Sequence, residues 1–270
     1  MKKILLLIVA LAATCVQARQ KIVILHTNDT HSCIEPEKNG NAGVLNRALL
    51  IEEIREKEGA ENVLLFDCGD FSQGSLYYNV FKGDVEIELM NAMGYNAGAL
   101  GNHEFDFGIE NLARIAQKAN YPIICSNYDF ADTPCEGIIQ PYTIIEKGST
   151  KIGLFALAPN PTGLVSRDCL GGVKPLSPIE TANKYTTILR NEGCEVVICL
   201  SHLGYEMPNE ECDDTRLAAA TSEINIILGG HSHTYLEECV KATNKEGKEV
   251  VMQQMNKNGR YLGVVEINLE

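Results

Sequence analysis

The sequence lacks several features that would assign it to common classes of protein. Its ten cysteines form no Cys-x-x-Cys pair, which argues against a structural zinc site built on thiolates. Basic residues are in deficit, with 23 Lys and Arg against 36 Asp and Glu. A net charge of -13 repels polyanions, so nucleic acid is not an expected partner. No internal repeat or low-complexity linker is visible, so we expect residues 19–270 to form one domain.

Apolar runs that could cross a bilayer are also lacking, and the one extended run lies near the amino terminus. Two lysines precede apolar residues at positions 4–13, and this run is too short to span a membrane. Small residues at positions 16 and 18 fit a cleavage site, so we expect a signal peptide over residues 1–18 and a secreted or periplasmic protein. Cys15 leaves a second interpretation open, in which this cysteine is acylated and anchors the protein to a membrane.

Histidine is rare, and its distribution is informative. Five short polar turns each follow an apolar, strand-like run, and all six histidines lie within four of these turns. The turns cover residues 26–31, 67–70, 101–106, 201–202 and 229–233. Strand-like runs alternate with helical patterns, which favours an α/β sheet, and in such sheets ligand sites gather at the carboxyl ends of strands. We therefore expect the five turns to meet.

The same patterns predict the individual elements. Helices are expected over residues 44–54, 84–93, 109–118 and 179–190, with Asp84 as an N-cap. Strands are expected over residues 22–25, 63–66, 97–100, 123–126, 152–157, 196–200 and 224–228. Residues 71–83 are expected to be irregular. From residue 235 onward, short strands around 249–254 and 261–269 are expected to close the fold and to contribute little chemistry.

The turns contain a set of side chains that suits divalent metal ions. The candidate ligands are Asp29, His31, Asp70, Asn102, His202, His231 and His233. Imidazole nitrogen with carboxylate or amide oxygen suits manganese, iron or zinc. Seven donors are too many for one tetrahedral ion and fit two ions that share a ligand, for which the two oxygens of Asp70 are suited. Two ions about 3.5 to 4 Å apart stabilise an in-line displacement at phosphorus, so the predicted reaction is phosphoester hydrolysis.

Two further residues of the third turn suit catalysis rather than metal binding. His103 and Asp106 are three places apart, so the carboxylate can hold one ring nitrogen while the other faces the substrate. A protonated imidazole in that position stabilises phosphoryl oxygens and protonates the departing alkoxide. Glu104 lies between them and is expected to point elsewhere.

Some residues leave two interpretations open. His26 either bonds a neighbour of the ligands or fills the end of its strand, and Cys33 is expected to be a bystander thiol. Tyr77 and Tyr78 either line the substrate cleft or pack. Cys125 and Cys135 are able to close a loop in an oxidising compartment. These further residues are His26, Cys33, Tyr77, Tyr78, Cys125 and Cys135.

The turns together resemble the sequence blocks of the calcineurin-like metallophosphoesterases. The blocks are Asp29-x-His31, Gly69-Asp70, Gly101-Asn102-His103-Glu104, Ser201-His202 and Gly230-His231-Ser232-His233, in the family's order. The longer runs over residues 26–31 and 101–108 are similar to the catalytic domain of the secreted 5'-nucleotidase branch. The resemblance implies a four-layer α/β/β/α fold and 5'-nucleotidase-type hydrolysis of nucleoside phosphates.

The resemblance also implies an assignment of ligands to two ions. It places metal one on Asp29, His31, Asp70 and His233, and metal two on Asp70, Asn102, His202 and His231, with His103 and Asp106 as the catalytic dyad. Several members of the family carry an amide at the position of His233, for which imidazole is a reasonable substitute.

The family also suggests what the protein works with. Full-length 5'-nucleotidases of this branch continue into a second domain that binds the nucleoside. We therefore expect a separately encoded nucleoside-binding partner, or action of the chain alone on other phosphoesters such as nucleotide sugars and 2',3'-cyclic nucleotides. The alternative is a metal-bearing binding subunit with negligible turnover, although such a module has no need of a dyad.

Overall fold

The structure is a computed structural model that describes residues 20–269, so the predicted signal peptide and Cys15 lie outside the described residues. The strands are β1 (Gln20–Thr27), β2 (Val63–Asp67), β3 (Ala97–Ala99), β4 (Ile123–Ile124), β5 (Tyr128–Asp129), β6 (Tyr142–Lys147), β7 (Thr150–Leu157), β8 (Lys174–Pro175), β9 (Val196–Ser201), β10 (Ile226–Leu228), β11 (Val240–Thr243), β12 (Glu249–Gln253) and β13 (Gly263–Leu269). The helices are α1 (Val44–Glu58), α2 (Leu76–Phe81), α3 (Asp84–Met93), α4 (Ile109–Ala116), α5 (Arg167–Leu170), α6 (Pro178–Asn191) and α7 (Asp214–Ala220).

Two mixed sheets form the centre of the fold. The first has the strand order β13-β1-β2-β3-β4 and the second has the order β11-β12-β10-β9-β7-β6. Within each sheet the strands that precede the polar turns pair in parallel with one another, whereas β13, β6 and β11 are antiparallel edge strands. Parallel strands of one sheet end at the same edge, so the turns that follow them are brought together.

The sheets pack face to face, and helices cover both outer faces. Fully buried aliphatic side chains of β1 and β2, such as Ile24 and Leu64, share one core with Leu154 and Ile198 of the second sheet. A second core joins the first sheet to α1, α3 and α4, and a third joins the second sheet to α6 and α7. Each fully buried aliphatic side chain contributes about 1.5–3 kcal/mol, so three such cores hold the strand ends firmly. The predicted four-layer α/β/β/α fold is confirmed.

The local differences from the sequence predictions have identifiable causes. Residues 76–81 form α2 within the stretch expected to be irregular, because the Ser75 side chain accepts the backbone N–H of Tyr78 as an N-cap. The N-cap of α3 is Gly83 rather than Asp84, since Gly83 adopts the left-handed conformation with φ 97°. The carboxylate of Asp84 instead pairs with Arg114 and Lys118.

Two further observations concern the cysteines and the possibility of a membrane-spanning helix. All cysteines of the described residues are free thiols. Cys125 lies near the Asn127 side chain and Cys135 near the Ile109 carbonyl, so these two do not close a loop in the structure. Among the helices of residues 20–269, none combines the length and the apolar character needed to cross a bilayer.

Candidate metal centre

The loops after β1 and β2 are joined backbone to backbone. Asp29 N–H donates to the Gly69 carbonyl at 2.9 Å, and His31 N–H donates to the Asp70 carbonyl at 3.0 Å. Several candidate ligands adopt left-handed backbone angles, which non-glycine residues rarely do. These residues are Asp29, His31, Asp70, His231 and His233. Each such residue costs roughly 1–3 kcal/mol, and this clustering of strained residues is typical of a functional site.

Two glycines allow the loops to approach each other closely. A Cβ added at Gly101 would lie 2.1 Å from Asp70 Oδ1, and one at Gly230 would lie 2.7 Å from His202 Nδ1. Neither neighbour is free to move away, because each belongs to the buried group of candidate ligands. Glycine at these positions is therefore required for the convergence of the turns.

The first group of donors consists of Asp29, His31 and His233. Their ligand atoms all lie within 4.8 Å of one another. His233 Nε2 is 3.3 Å from Asp29 Oδ1, and His31 Nε2 is 3.7 Å from the same oxygen. This arrangement matches three of the four ligands that the resemblance assigns to metal one.

The second group consists of Asp70, His202 and His231, whose ligand atoms also lie within 4.8 Å of one another. His202 Nε2 is 3.0 Å from Asp70 Oδ2. The other ring nitrogen of His202 lies 2.7 Å from the Cys68 carbonyl, which fixes the tautomer that leaves Nε2 free to bind a metal.

Asp70 connects the two groups through a single oxygen. Its Oδ2 lies 3.0 Å from His202 Nε2 on one side and 3.7 Å from His31 Nε2 on the other. Its Oδ1 accepts the backbone N–H of His103 at 2.9 Å. The sequence analysis assigned one carboxylate oxygen to each ion. In the structure one oxygen faces both groups, because the turn that carries His103 engages the other.

The donor set fits divalent cations. Of the buried side-chain atoms that lack a hydrogen-bond partner among the described residues, three are candidate ligand atoms, namely His31 Nε2, Asn102 Oδ1 and His202 Nε2. A buried polar atom without a partner costs about 1–3 kcal/mol, and a bound cation would satisfy all three. Neutral imidazoles with carboxylates and an amide suit a first-row ion.

The electrostatics of the site favour positive charge. Burial by itself lowers the pKa of His202, but the carboxylates of Asp70 and Asp29 outweigh it and raise this pKa to about 10. Burial and the neighbouring His202 lower the pKa of His231 to about 4. A pocket whose carboxylates hold a proton this firmly is suited to hold a cation in its place.

His103 lies beside these groups and is held at both ring nitrogens. Nδ1 is 3.0 Å from Asp106 Oδ2, as the spacing predicted, and Nε2 is 2.7 Å from the side-chain amide of Gln73. A ring nitrogen of His103 also lies within 4.8 Å of the ligand atoms of His31 and Asp70. Because both its nitrogens have partners, we assign it to the dyad and not to a metal. No pattern in the sequence pointed to Gln73.

Glu104 has a supporting function that the sequence analysis missed. As expected, it points away from the dyad, and its buried carboxylate accepts the backbone N–H groups of Asp70, Gly101 and Ser72 at 3.0, 2.6 and 3.2 Å. The Ser72 hydroxyl also donates to it, at 3.0 Å. Burial and the charge of Asp70 raise the pKa of Glu104 to about 7. In the sequence, the only indication of this function was the position of Glu104 between His103 and Asp106.

The segment after β12, expected to contribute little chemistry, supports two ligand loops. Gln254 Nε2 donates to the Gly230 carbonyl, while its Oε1 accepts the backbone N–H of Thr234. Asn28 Oδ1 accepts the backbone N–H of Met255 at 2.9 Å. These supporting contacts were not predicted, because glutamine and asparagine near a strand end have no recognisable spacing.

The residues with two open interpretations are now placed. The buried His26 ring is hydrogen-bonded to the Gln253 side chain at 3.1 Å and packs against Gly263. It therefore fills the end of β1 beside the end of β12. Tyr78 packs beneath the dyad, and its hydroxyl donates to the His103 carbonyl at 3.1 Å. Tyr77 reaches Glu35 instead. The Cys33 thiol faces the Glu35 carbonyl rather than the metal site.

Known proteins resemble this chain over most of its length. The calcineurin-like phosphoesterase family model matches residues 22–235. The snake venom 5'-nucleotidase of Crotalus adamanteus is 32% identical over 278 residues, covering 92% of this chain and 45% of that protein. A crystal structure of a 5'-nucleotidase precursor from Thermus thermophilus superposes with a TM-score of 0.83 at 30% identity, covering 93% of this chain and 52% of the other.

A third similar protein is the NAD nucleotidase of Haemophilus influenzae. Its structure superposes with a TM-score of 0.81 at 25% identity, covering 93% of this chain and 47% of the other. The chain thus spans about half the length of these relatives.

Proposed function

The chain belongs to the calcineurin-like phosphoesterase family, and we propose that it hydrolyses the 5'-phosphoester of nucleotides with the help of two divalent metal ions. One observation carries this proposal. The carboxylate of Asp70 belongs to one donor group and lies 3.7 Å from His31 of the other, and an imidazole held by a carboxylate lies next to both groups. A site that only stored metal would not need the second feature.

The chain's own residues have distinct tasks in the proposed reaction. Asp29, His31 and His233 hold one ion, and Asn102, His202 and His231 hold the other, with Asp70 shared. When bound, the two ions supply positive charge for the phosphoryl oxygens and activate a water molecule. His103, oriented by Asp106, donates its proton to the oxygen of the leaving group.

The proposed substrates are nucleoside 5'-monophosphates. Two relatives are named 5'-nucleotidases, and a local cation site explains how a chain with a net charge of -13 binds a phosphate. A second candidate class, dinucleotides and nucleotide sugars, is favoured by the similarity to the NAD nucleotidase. Hydrolysis of 2',3'-cyclic nucleotides uses the same chemistry and belongs to the same proposal.

The setting of the enzyme is also a proposal. Residues 1–18 have the pattern of a signal peptide, which supports action outside the cytoplasm, with a lipid anchor only if Cys15 is acylated. Because the chain spans about half the length of its relatives, we include in the proposal that a further domain or partner protein binds the nucleoside. An affinity for adenosine monophosphate that stays unchanged in mixtures with candidate partner proteins would count against this part.

Phosphate release from a panel of substrates tests the proposed function. The purified chain is incubated with nucleoside monophosphates, nucleotide sugars and cyclic nucleotides, with manganese, with zinc or with a chelator. We expect metal-dependent release that is fastest from the monophosphates and that stops on chelation. Metal binding without release from any phosphoester would instead support a metal-bearing binding subunit.

A further inference from the structure

The ring of His103 is held by two side chains rather than one. Asp106 Oδ2 lies 3.0 Å from Nδ1, and the side-chain amide nitrogen of Gln73 lies 2.7 Å from Nε2. Each imidazole nitrogen has one in-plane direction for a hydrogen bond. A single partner leaves the ring free to rotate about that bond, whereas partners at both nitrogens fix its orientation.

The backbone of Gln73 is itself anchored to the metal loops. Its N–H donates to the hydroxyl of Ser32, a buried residue that follows His31, at 3.2 Å. The preceding residue, Ser72, makes two hydrogen bonds to the buried carboxylate of Glu104. The side chain of Gln73 therefore starts from a fixed point.

The same segment also holds the backbone of the acid. The hydroxyl of Tyr78 donates to the His103 carbonyl at 3.1 Å, and the Ser72 hydroxyl, which donates to Glu104, lies 3.4 Å from the same carbonyl. Residues 72–78 thus contact His103 at its backbone and at its ring. A ring nitrogen of His103 lies within 4.8 Å of the ligand atoms of His31 and Asp70, so the ring that Gln73 holds borders the donor groups.

We propose that Gln73 is a positioning residue for the acid step. Its amide aligns the imidazole of His103 and gives up the bond at Nε2 to the leaving-group oxygen when substrate binds. As placed, the Gln73 NH2 group donates to an unprotonated Nε2, and a half-turn rotation of the amide presents its oxygen to the protonated Nε2 of the acid.

This role rests on the proposed function. In the step concerned, the bond between phosphorus and the leaving oxygen breaks, and that oxygen keeps the electron pair and takes the Nε2 proton. Water supplies the hydroxyl that bonds to phosphorus, and its remaining proton returns to His103.

The test compares two leaving groups. Gln73→Met keeps the approximate size of the side chain and removes both hydrogen-bonding atoms. With adenosine monophosphate, whose alkoxide needs a proton, we expect kcat to fall about tenfold, part of the hundredfold or more that a positioned acid supplies, with KM little changed. With p-nitrophenyl phosphate, whose phenolate leaves unaided, kcat should change less than about twofold.

Three controls accompany this comparison. Tyr77→Phe removes a hydroxyl of the same segment that donates to Glu35, and turnover of both substrates should be unaffected. His103→Ala should show the same dependence on leaving group as Gln73→Met, but a larger effect. Adding Gln73→Met to His103→Ala should cause no further loss, because the two act as one unit. Metal content per chain is measured in every variant.

Imidazole nitrogen NMR of the metal-free protein gives a reading that does not depend on activity. The Nε2 signal of His103, assigned through its loss in His103→Ala, should shift in Gln73→Met and stay in place in Tyr77→Phe. An Nε2 signal that does not shift in Gln73→Met overturns the proposal. This result does not depend on phosphate release, so it still decides the role of Gln73 if the proposed function fails. An equal fall in kcat on both substrates indicates a structural role and overturns it, as does a rise in kcat/KM, which would make Gln73 an obstacle.

Discussion

The metal-ligand cluster and the dyad rim lie side by side but are built differently. The cluster is the set of seven candidate ligands, and the rim is His103, Asp106 and Gln73. Ligands of the cluster come from both sheets, and the side chains of Asp70 and His202 are 3% and 0% exposed. In the rim, the side chains of His103 and Asp106 are 27% and 39% exposed and belong to one turn.

This difference indicates how each region depends on the rest of the molecule. The cluster exists only when five loops meet, so one central substitution is expected to affect both ions. The rim depends on one turn and the segment beside it, so substitutions there are expected to affect one chemical step. The predictions below test this contrast, beginning with the largest effect.

Asp70→Ala is expected to have the largest effect. Asp70 Oδ2 faces both donor groups, so both ions should be lost and phosphate release should fall to the level of the chelated parent. Metal analysis by mass spectrometry and phosphate release check this. Asp70→Asn, which retains the acceptor for the His103 N–H, is the matched variant that separates loss of metal from loss of this turn. Two ions retained in Asp70→Ala would contradict the shared ligand.

His103→Ala should affect the rim alone. Because both ring nitrogens contact side chains outside the cluster, the metal content should remain as in the parent. Turnover of adenosine monophosphate should fall by about a hundredfold or more, the usual contribution of a positioned acid. Metal analysis and steady-state kinetics check both parts. Full turnover would show that the dyad assignment is wrong.

Asp106→Asn should change the pH dependence. Burial lowers the pKa of His103, but the hydrogen bond to Asp106 and the charge of Asp70 outweigh it and raise this pKa. Loss of the Asp106 charge should lower this pKa, so His103 loses its proton at a lower pH. The alkaline limb of the pH profile of kcat/KM should therefore shift to lower pH. Asp168→Asn, an exposed carboxylate of α5, serves as the control and should leave the profile in place. A profile unmoved by Asp106→Asn would remove Asp106 from the dyad.

His233→Asn should have the smallest effect. This ligand is 34% exposed at the outer side of the first group, and an amide oxygen can replace its nitrogen. We expect metal affinity at one site to fall about tenfold, the lower range for weakened metal sites, and added manganese to restore turnover. Metal titration by calorimetry checks this. A loss of metal as severe as that in Asp70→Ala would mean that the exposed ligands of the cluster matter as much for metal binding as the buried ones.

The fold could be predicted from the sequence because strands and helices leave periodic signals, and the candidate ligands could be named because they lie in the turns after those strands. Apolar runs followed by polar turns define parallel strands and their carboxyl ends, and all six histidines lie in those turns. The three-residue spacing of His103 and Asp106 likewise follows from a single turn, and the structure shows their contact.

The supporting residues could not be predicted in the same way. Gln73 is 30 positions from His103, and Gln254 is 24 positions from Gly230, so only the folded chain brings them together. The single oxygen of Asp70 that faces both donor groups was also hidden, since it depends on the His103 N–H that engages the other oxygen. Contacts of this kind depend on tertiary structure, and amides have no spacing that reveals them.

Anomalous diffraction from crystals of the manganese-loaded protein tests the central claim most directly. The account predicts two peaks, one among Asp29, His31 and His233 and the other among His202, His231 and Asn102, with the Asp70 carboxylate between them. A single peak, or peaks distant from Asp70, would contradict it.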